Sequence, residues 1–276
     1  MRLNWTIFES EGRTVEAQVF EPEAPTQNAI LFCPGFPGMG GSLFEQRHAA
    51  ALAAENYAVI VLHHSGTRLD GPHAPLMVNN GWRRMMAQKN GDTHLGGGPS
   101  SIDDWLMEPY TALKNLPSYK NLTIIGNSFG ALSAMWSMTA ETAPVANIRH
   151  LILLAGAQGT EDLMRIWKPE FIAMPRITEK VSLNDATEIA ATLQKTYQQL
   201  PQRMKTLPPE IALTYLVVMR DELLTLRDTE QFRAAIDGRG KIVIDDIDKA
   251  YPNHGFMAHD MPDYPTVNLL ALIRGI

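Results

Sequence analysis

Residues 123–136 read TIIGNSFGALSAMW: a short apolar run, then Gly126-Asn127-Ser128-Phe129-Gly130, then a stretch whose spacing predicts a helix. A polar serine between two glycines, where a strand becomes a helix, has two readings. One is a plain surface turn. The other is a sharp turn that lifts the hydroxyl above the edge of a sheet, with glycines on both sides where any side chain would clash. The bare pattern Gly-x-Ser-x-Gly is only a modest signal, but here a strand precedes it and a helix follows it. We therefore take Ser128 as a candidate nucleophile and ask whether the rest of the chain supplies its partners.

Working outward, five apolar runs predict buried strands: 29–33 (AILFC), 57–62 (YAVIVL), 122–126 (LTIIG), 151–155 (LILLA) and 214–219 (TYLVVM), with a weaker sixth at 241–246. They are short, rich in Ile, Leu and Val, and apolar on both faces, as parallel strands covered by helices are. Helical spacing appears between them at 43–55, 102–115, 129–139 and 228–236, with Pro109 predicting a kink or a late start in the second. Strand then helix, repeated, predicts an α/β protein with a mostly parallel, doubly wound sheet. Two further runs, 5–9 and 15–20, flank a Glu-Gly turn and predict an antiparallel hairpin at the sheet edge. Two segments break the alternation. Residues 66–101 form a long loop with a helix predicted around 82–89, the kind of insert that serves as a lid. Residues 158–209, with a helix predicted over 184–200, read as an inserted helical cap, which leaves 1–157 and 210–276 as the core.

Composition removes several classes. The chain has 276 residues, 45% hydrophobic and 20% charged, and a net charge of -6. It offers no basic stripe for nucleic acid, and its charge disfavours anionic membranes. No run of 18 apolar residues and no apolar leader is present, and the lone Cys33 has no partner for an internal disulfide. These features together predict a cytoplasmic protein without membrane or nucleic-acid partners.

A serine hydroxyl needs a base to take its proton and a carboxylate to orient that base. Asp221 follows the strand at 214–219, and His254 follows the next candidate strand, in the order Ser, Asp, His. Both fall in loops at carboxyl ends of strands, where open α/β sheets bind ligands. Glu222 and Asp162 are rivals to Asp221, and His259 to His254; Asn253-His254-Gly255-Phe256 reads as a tight loop and is favoured. A tetrahedral oxyanion needs two N–H donors. One is expected from Phe129. The other falls to Phe36, because Pro34 and Pro37 on either side of the 34–38 loop have no N–H.

With PGFPG at 34–38, GNSFG at 126–130, RDELL at 220–224 and NHGF at 253–256, the chain resembles α/β-hydrolase-fold serine enzymes over nearly its whole length. The resemblance implies an eight-stranded sheet with a cap after the sixth strand. With the triad it points to hydrolysis of an ester, thioester or amide through an acyl-enzyme on Ser128, with no metal or organic cofactor, and the apolar residues of the expected cap suggest a small, largely apolar substrate. GNSFG is also similar to the elbow of carbon–carbon bond hydrolases, so carbon–carbon cleavage or cyclisation by the same triad is one alternative, and a silent binding protein is another. One departure stands out: many relatives carry His-Gly where this chain has Pro34-Gly35, which puts the hydrogen bonding behind that loop, and the substrate class, in question.

Other residues take plainer readings. His63 and His64 end a strand at the expected rim of the site, within reach of a substrate. His73 and His94 show no metal-ligand spacing. Arg83, Arg84 and Lys89 suit a solvated helix face, and Cys33 a small buried hydrophobe. Met164, Met174 and Met204 suit either ordinary packing or an apolar pocket.

Overall fold

The computed structural model describes residues 1–36, 43–68, 89–91, 94–95, 100–155, 168–173, 183, 185–219, 221, 223–245, 261 and 264–275. The chain starts with the expected hairpin, β1 (Arg2–Ser10) and β2 (Arg13–Glu21), paired antiparallel from Arg2↔Glu21 to Ser10↔Arg13. Its two turn residues, Glu11 and Gly12, have φ of 52° and 78°. A two-residue turn of this hand matches the twist of the flanking strands.

β3 (Asn28–Cys33), α1 (Leu43–Ala54) and β4 (Ala58–His63) follow, then a short ribbon of β5 (Thr67–Arg68) and β6 (His94–Leu95). Next come α2 (Ile102–Asn115), β7 (Asn121–Asn127), α3 (Phe129–Met138), β8 (Ile148–Leu154), α4 (Pro169–Ile172) and α5 (Ala186–Met204). The chain continues through β9 (Ala212–Val218), α6 (Leu226–Ala235), β10 (Lys241–Asp245) and α7 (Thr266–Arg274). Among the described residues eight strands make one sheet in the order β1-β2-β4-β3-β7-β8-β9-β10. β1, β2 and β4 pair antiparallel, and every pairing from β4 to β10 is parallel.

Alternation along the strands builds two apolar layers. From β3, Ile30 and Phe32 join Ala49, Leu52 and Leu269 on the face covered by α1 and α7. Leu31 and Cys33 point the other way, into the layer of α2, α3, α5 and α6. Helices end where chemistry dictates. Ser101 and Asp104 form a capping box at the start of α2, so the helix begins at Ile102 and runs through Pro109 rather than starting late. Thr225 and Asp228 do the same for α6. On the opposite face, Arg47 donates to the Tyr264 carbonyl and His48 Nδ1 meets Thr266 Oγ1 at 2.9 Å, tying α1 to the start of α7. Burial, with Arg47 beside it, pushes His48 down to about 4.

This winding locates the crevice. β3 and β7 are parallel neighbours, but β3 leads into α1 on one face while β7 leads into α3 on the other. The chain therefore leaves these two neighbouring strands toward opposite faces, the kind of switch point at which open α/β sheets bind ligands. Of the segment expected as a cap, α5 lies with its Ile189, Leu193, Tyr197, Leu200 and Met204 in the layer shared with α2 and α3. Arg203 fastens it: its guanidinium lies 3.4 Å from the Trp136 ring centroid and donates to the Trp136 carbonyl at 2.7 Å and Thr139 Oγ1 at 3.1 Å. Met204 is fully buried, so its reading is packing. Among the described residues no helix is long and apolar enough to cross a membrane.

Candidate active site

Ser128 sits between β7 and α3 with φ 54° and ψ -118°. That is the first corner of a mirror-image turn, a conformation in which glycine is at ease and other residues are strained, at a cost on the order of 1–3 kcal/mol. The neighbours hold it there. Its N–H donates to Leu154 on β8 at 2.9 Å, and its carbonyl accepts from Ala131 at 3.0 Å.

The two glycines of the pentad are required by contact. A Cβ on Gly126 would lie 2.6 Å from Ala131 Cα and close to the Gly130 carbonyl. A Cβ on Gly130 would run into the Cys33 carbonyl and lie 2.8 Å from that of Pro34. Both obstacles are backbone, which has nowhere to go. The turn therefore brings α3 hard against the exit of β3. Gly35, in that exit, has its Cβ position 3.3 Å from Ser128 Cβ and 3.3 Å from the Asn127 carbonyl.

The structure thus gathers three of the expected site residues. Ser128 and Phe129 come from the β7–α3 turn, and Phe36 from the loop after β3. Phe129 is buried as the first residue of α3, and its ring lies edge-on to the half-buried Phe36 at 6.1 Å. Asp221 stands three residues beyond the end of β9, two strands along the sheet from β7. Its Oδ1 accepts from the Leu223 and Leu224 amides, each at 2.8 Å, and its own N–H donates to Val218 at 3.2 Å. His254 lies outside the described residues, as do the rivals Glu222, Asp162 and His259. So do His73, Arg83, Arg84, Met164 and Met174, while Lys89 is exposed.

His63 and His64 do not both face the rim. Successive positions point to opposite sides of the sheet, and both residues are buried. His63 turns to Gln18 at 3.3 Å and the Trp5 ring at 4.7 Å. His64 lies behind the 34–36 loop, where its Nε2 meets the Gly35 carbonyl at 3.0 Å and its Nδ1 meets Glu108 Oε2 at 2.5 Å. The ring stacks on Trp105, 4.0 Å away and 6° from parallel. The other carboxylate oxygen, Oε1, accepts from the Ser65 amide at 2.8 Å and the Ser65 hydroxyl at 3.2 Å. Ser65 Oγ also meets Ser100 Oγ at 2.7 Å, joining the two ends of the long 66–101 segment. Burial pushes the Glu108 carboxyl up, against the pull of His64 and the Ser65 donors. Burial, with Glu108 nearby, also raises the Cys33 thiol and keeps it protonated, so Cys33 is the inert small residue expected. Among the described residues no group of three or more His, Cys, Asp or Glu could hold a metal ion.

No family model matches the chain, and no curated protein matches it in sequence. Solved structures match it end to end. A thermostable carboxyl esterase from Bacillus coagulans, in complex with glycerol, superposes with a TM-score of 0.65 at 13% identity, over 100% of this chain and 99% of the other. The thioesterase domain of a curacin biosynthetic pathway gives 0.60 at 14% identity, over 99% and 100%. An esterase from Exiguobacterium antarcticum gives 0.58 at 12%, over 98% and 99%. The chain has the α/β-hydrolase fold.

Within this α/β-hydrolase fold, the sequence pointed to Ser128 and to the loop that approaches it. It did not point to Glu108 or to the role of His64. A signal for Glu108 was available. α2 carries Ile102, Trp105, Glu108 and Ala112 on one helical stripe, and a carboxylate in an apolar stripe must find a partner when buried.

Proposed function

We propose that this chain is a serine hydrolase that cleaves an ester, thioester or amide of a small, largely apolar substrate through an acyl-enzyme on Ser128. The observation that carries this reading is the backbone of Ser128. A non-glycine residue at φ 54° and ψ -118° persists only where its surroundings over-determine it. Here those surroundings are two glycines, a strand and the backbone of the 34–36 loop. A surface turn would relax with Gly or Asn at that position; a nucleophile needs the strain because it raises the hydroxyl out of the sheet edge.

In this reading Ser128 Oγ attacks the acyl carbonyl while His254 takes its proton, and Asp221 holds the imidazole in the tautomer that accepts. The Phe129 N–H, at the positive end of α3, and the Phe36 N–H receive the oxyanion. His254 then protonates the leaving group, and water activated by the same base releases the acid. The segment 158–209 provides the cap, rooted on the core by α5, and 66–101 the lid. The structural neighbours named as esterases and a thioesterase fit this chemistry. No step calls for a metal or organic cofactor.

Stopped-flow hydrolysis of p-nitrophenyl butyrate tests the acyl-enzyme. The expected result is a burst of nitrophenol equal to the enzyme concentration, followed by slower turnover. In oxygen-18 water the released acid carries one labelled oxygen. On an acyl p-nitrophenyl ester that carries its own terminal hydroxyl, a product without label would instead mark attack of that hydroxyl on the acyl-enzyme with release of Ser128, and the cyclisation reading would replace hydrolysis.

A further inference from the structure

We propose that His64 and Glu108 are a positioning pair that aims the Phe36 N–H at the oxyanion by gripping the opposite end of the same peptide group. The inference rests on the serine hydrolase reading, because only there does that N–H have work to do.

The argument starts with donors and acceptors. The Gly35 carbonyl can only accept, so His64 Nε2 carries a proton and donates it across 3.0 Å. His64 Nδ1 faces a carboxylate, and a single proton lies along that 2.5 Å contact. Glu108 Oε1 is occupied by Ser65. The tautomer that donates to Gly35 is therefore set from behind by Glu108, and the ring plane is set by its stack on Trp105. Trp105 is fixed in turn by donating its indole N–H to the Ser65 carbonyl at 2.9 Å.

Peptide geometry carries the effect to the site. The Gly35 carbonyl and the Phe36 N–H belong to one planar trans unit and point in opposite directions. Rotating that unit to break the His64 contact would swing the N–H by the same angle. The unit lies beside the serine, since the Gly35 Cβ position is 3.3 Å from Ser128 Cβ. Pro34, just before it, has no N–H with which to anchor the loop from within. An imidazole delivered from the end of β4 thus stands behind a loop in which the sequence has no histidine of its own.

Energetics favour this role over a purely stabilising one. His64 and Glu108 side chains are 1% and 3% exposed. A buried polar pair of this kind returns little net stability over a well-packed apolar pair, because desolvation consumes most of the attraction. What it supplies is direction.

The test compares variants that keep or lose the Nε2-type donor. A glutamine side chain places its amide nitrogen near the position of a histidine Nε2, whereas asparagine reaches only as far as Nδ1. His64→Asn should lower kcat on p-nitrophenyl butyrate about 10²-fold, with KM nearly unchanged, the loss typical of one oxyanion donor. It should weaken an apolar trifluoromethyl ketone, which binds as the oxyanion, by the same factor. His64→Gln should recover at least about tenfold of both. Glu108→Gln should stay near wild type, because its amide donates to Nδ1 and preserves the Nε2–H tautomer, while Glu108→Leu should behave like His64→Asn. This second pair decides the matter if His64→Asn does not fold. Equal activity in the asparagine and glutamine variants, or a loss of kcat without loss of inhibitor affinity, overturns the positioning role while leaving the serine mechanism standing. A folded wild type that neither hydrolyses esters nor binds the ketone removes both.

Discussion

Ser128 and Asp221, two of the three expected catalytic residues, follow β7 and β9 at the carboxyl edge of the sheet and are held in different ways. The turn after β7 holds Ser128 at φ 54°, has backbone packed against both of its glycines and accepts only glycine at 126 and 130. After β9, Asp221 takes two following amides on one carboxylate oxygen, an arrangement common in ordinary loops. The difference teaches where precision is needed. On the proposed mechanism the nucleophile and the oxyanion donors must meet within a few tenths of an ångström, a demand that the packing of β3, β7 and α3 suits. On the same proposal Asp221 only has to orient a base, for which a carboxylate held by its own loop is enough.

Three changes test this contrast, beginning with the largest effect. Asp221→Asn keeps an acceptor for the Leu223 and Leu224 amides but offers the base the wrong partner. Thermal melts should hardly move, while kcat on p-nitrophenyl butyrate falls about 10⁴-fold. A matching drop in melting temperature would instead make Asp221 a structural residue. Gly130→Ala comes next. Helix propensity favours alanine by about 1 kcal/mol, but its Cβ would occupy the place of the Cys33 carbonyl. Overpacking against backbone should win, with a net loss of about 3 kcal/mol in urea unfolding. A stabilised variant would mean that the turn is looser than described. Ser128→Gly, read by its stability, comes last. Releasing the strained φ should raise stability by about 1 kcal/mol net of glycine's greater unfolded entropy, while abolishing activity. Lower stability would show that the turn stores no strain.

Much of this was legible in the sequence because it depends on local pattern. Apolar runs of the right length alternating with helical spacing gave the central strands and their order of use, and the Glu11-Gly12 pair gave the hairpin. The pentad around Ser128 was legible for a deeper reason: each glycine is there because something touches it. The His64–Glu108 pair was not legible, since its members are 44 positions apart and meet only when α2 packs against the end of β4. The period-two alternation of a strand does separate His63 from His64, but it does not say which element lies opposite. The structure also placed α5, expected as part of a cap, with one face in the core layer. Its amphipathic pattern fits both settings, so spacing alone could not distinguish them.

The central claim is that Ser128 is an activated nucleophile. Intact-mass analysis after treatment with a fluorophosphonate measures it most directly, on the wild type and on Ser128→Ala. The account predicts a single phosphonyl adduct on the wild type and none on the variant. An adduct that persists in Ser128→Ala, or a folded wild type that takes no adduct from pH 6 to about 9, where a histidine base is increasingly deprotonated, would contradict it.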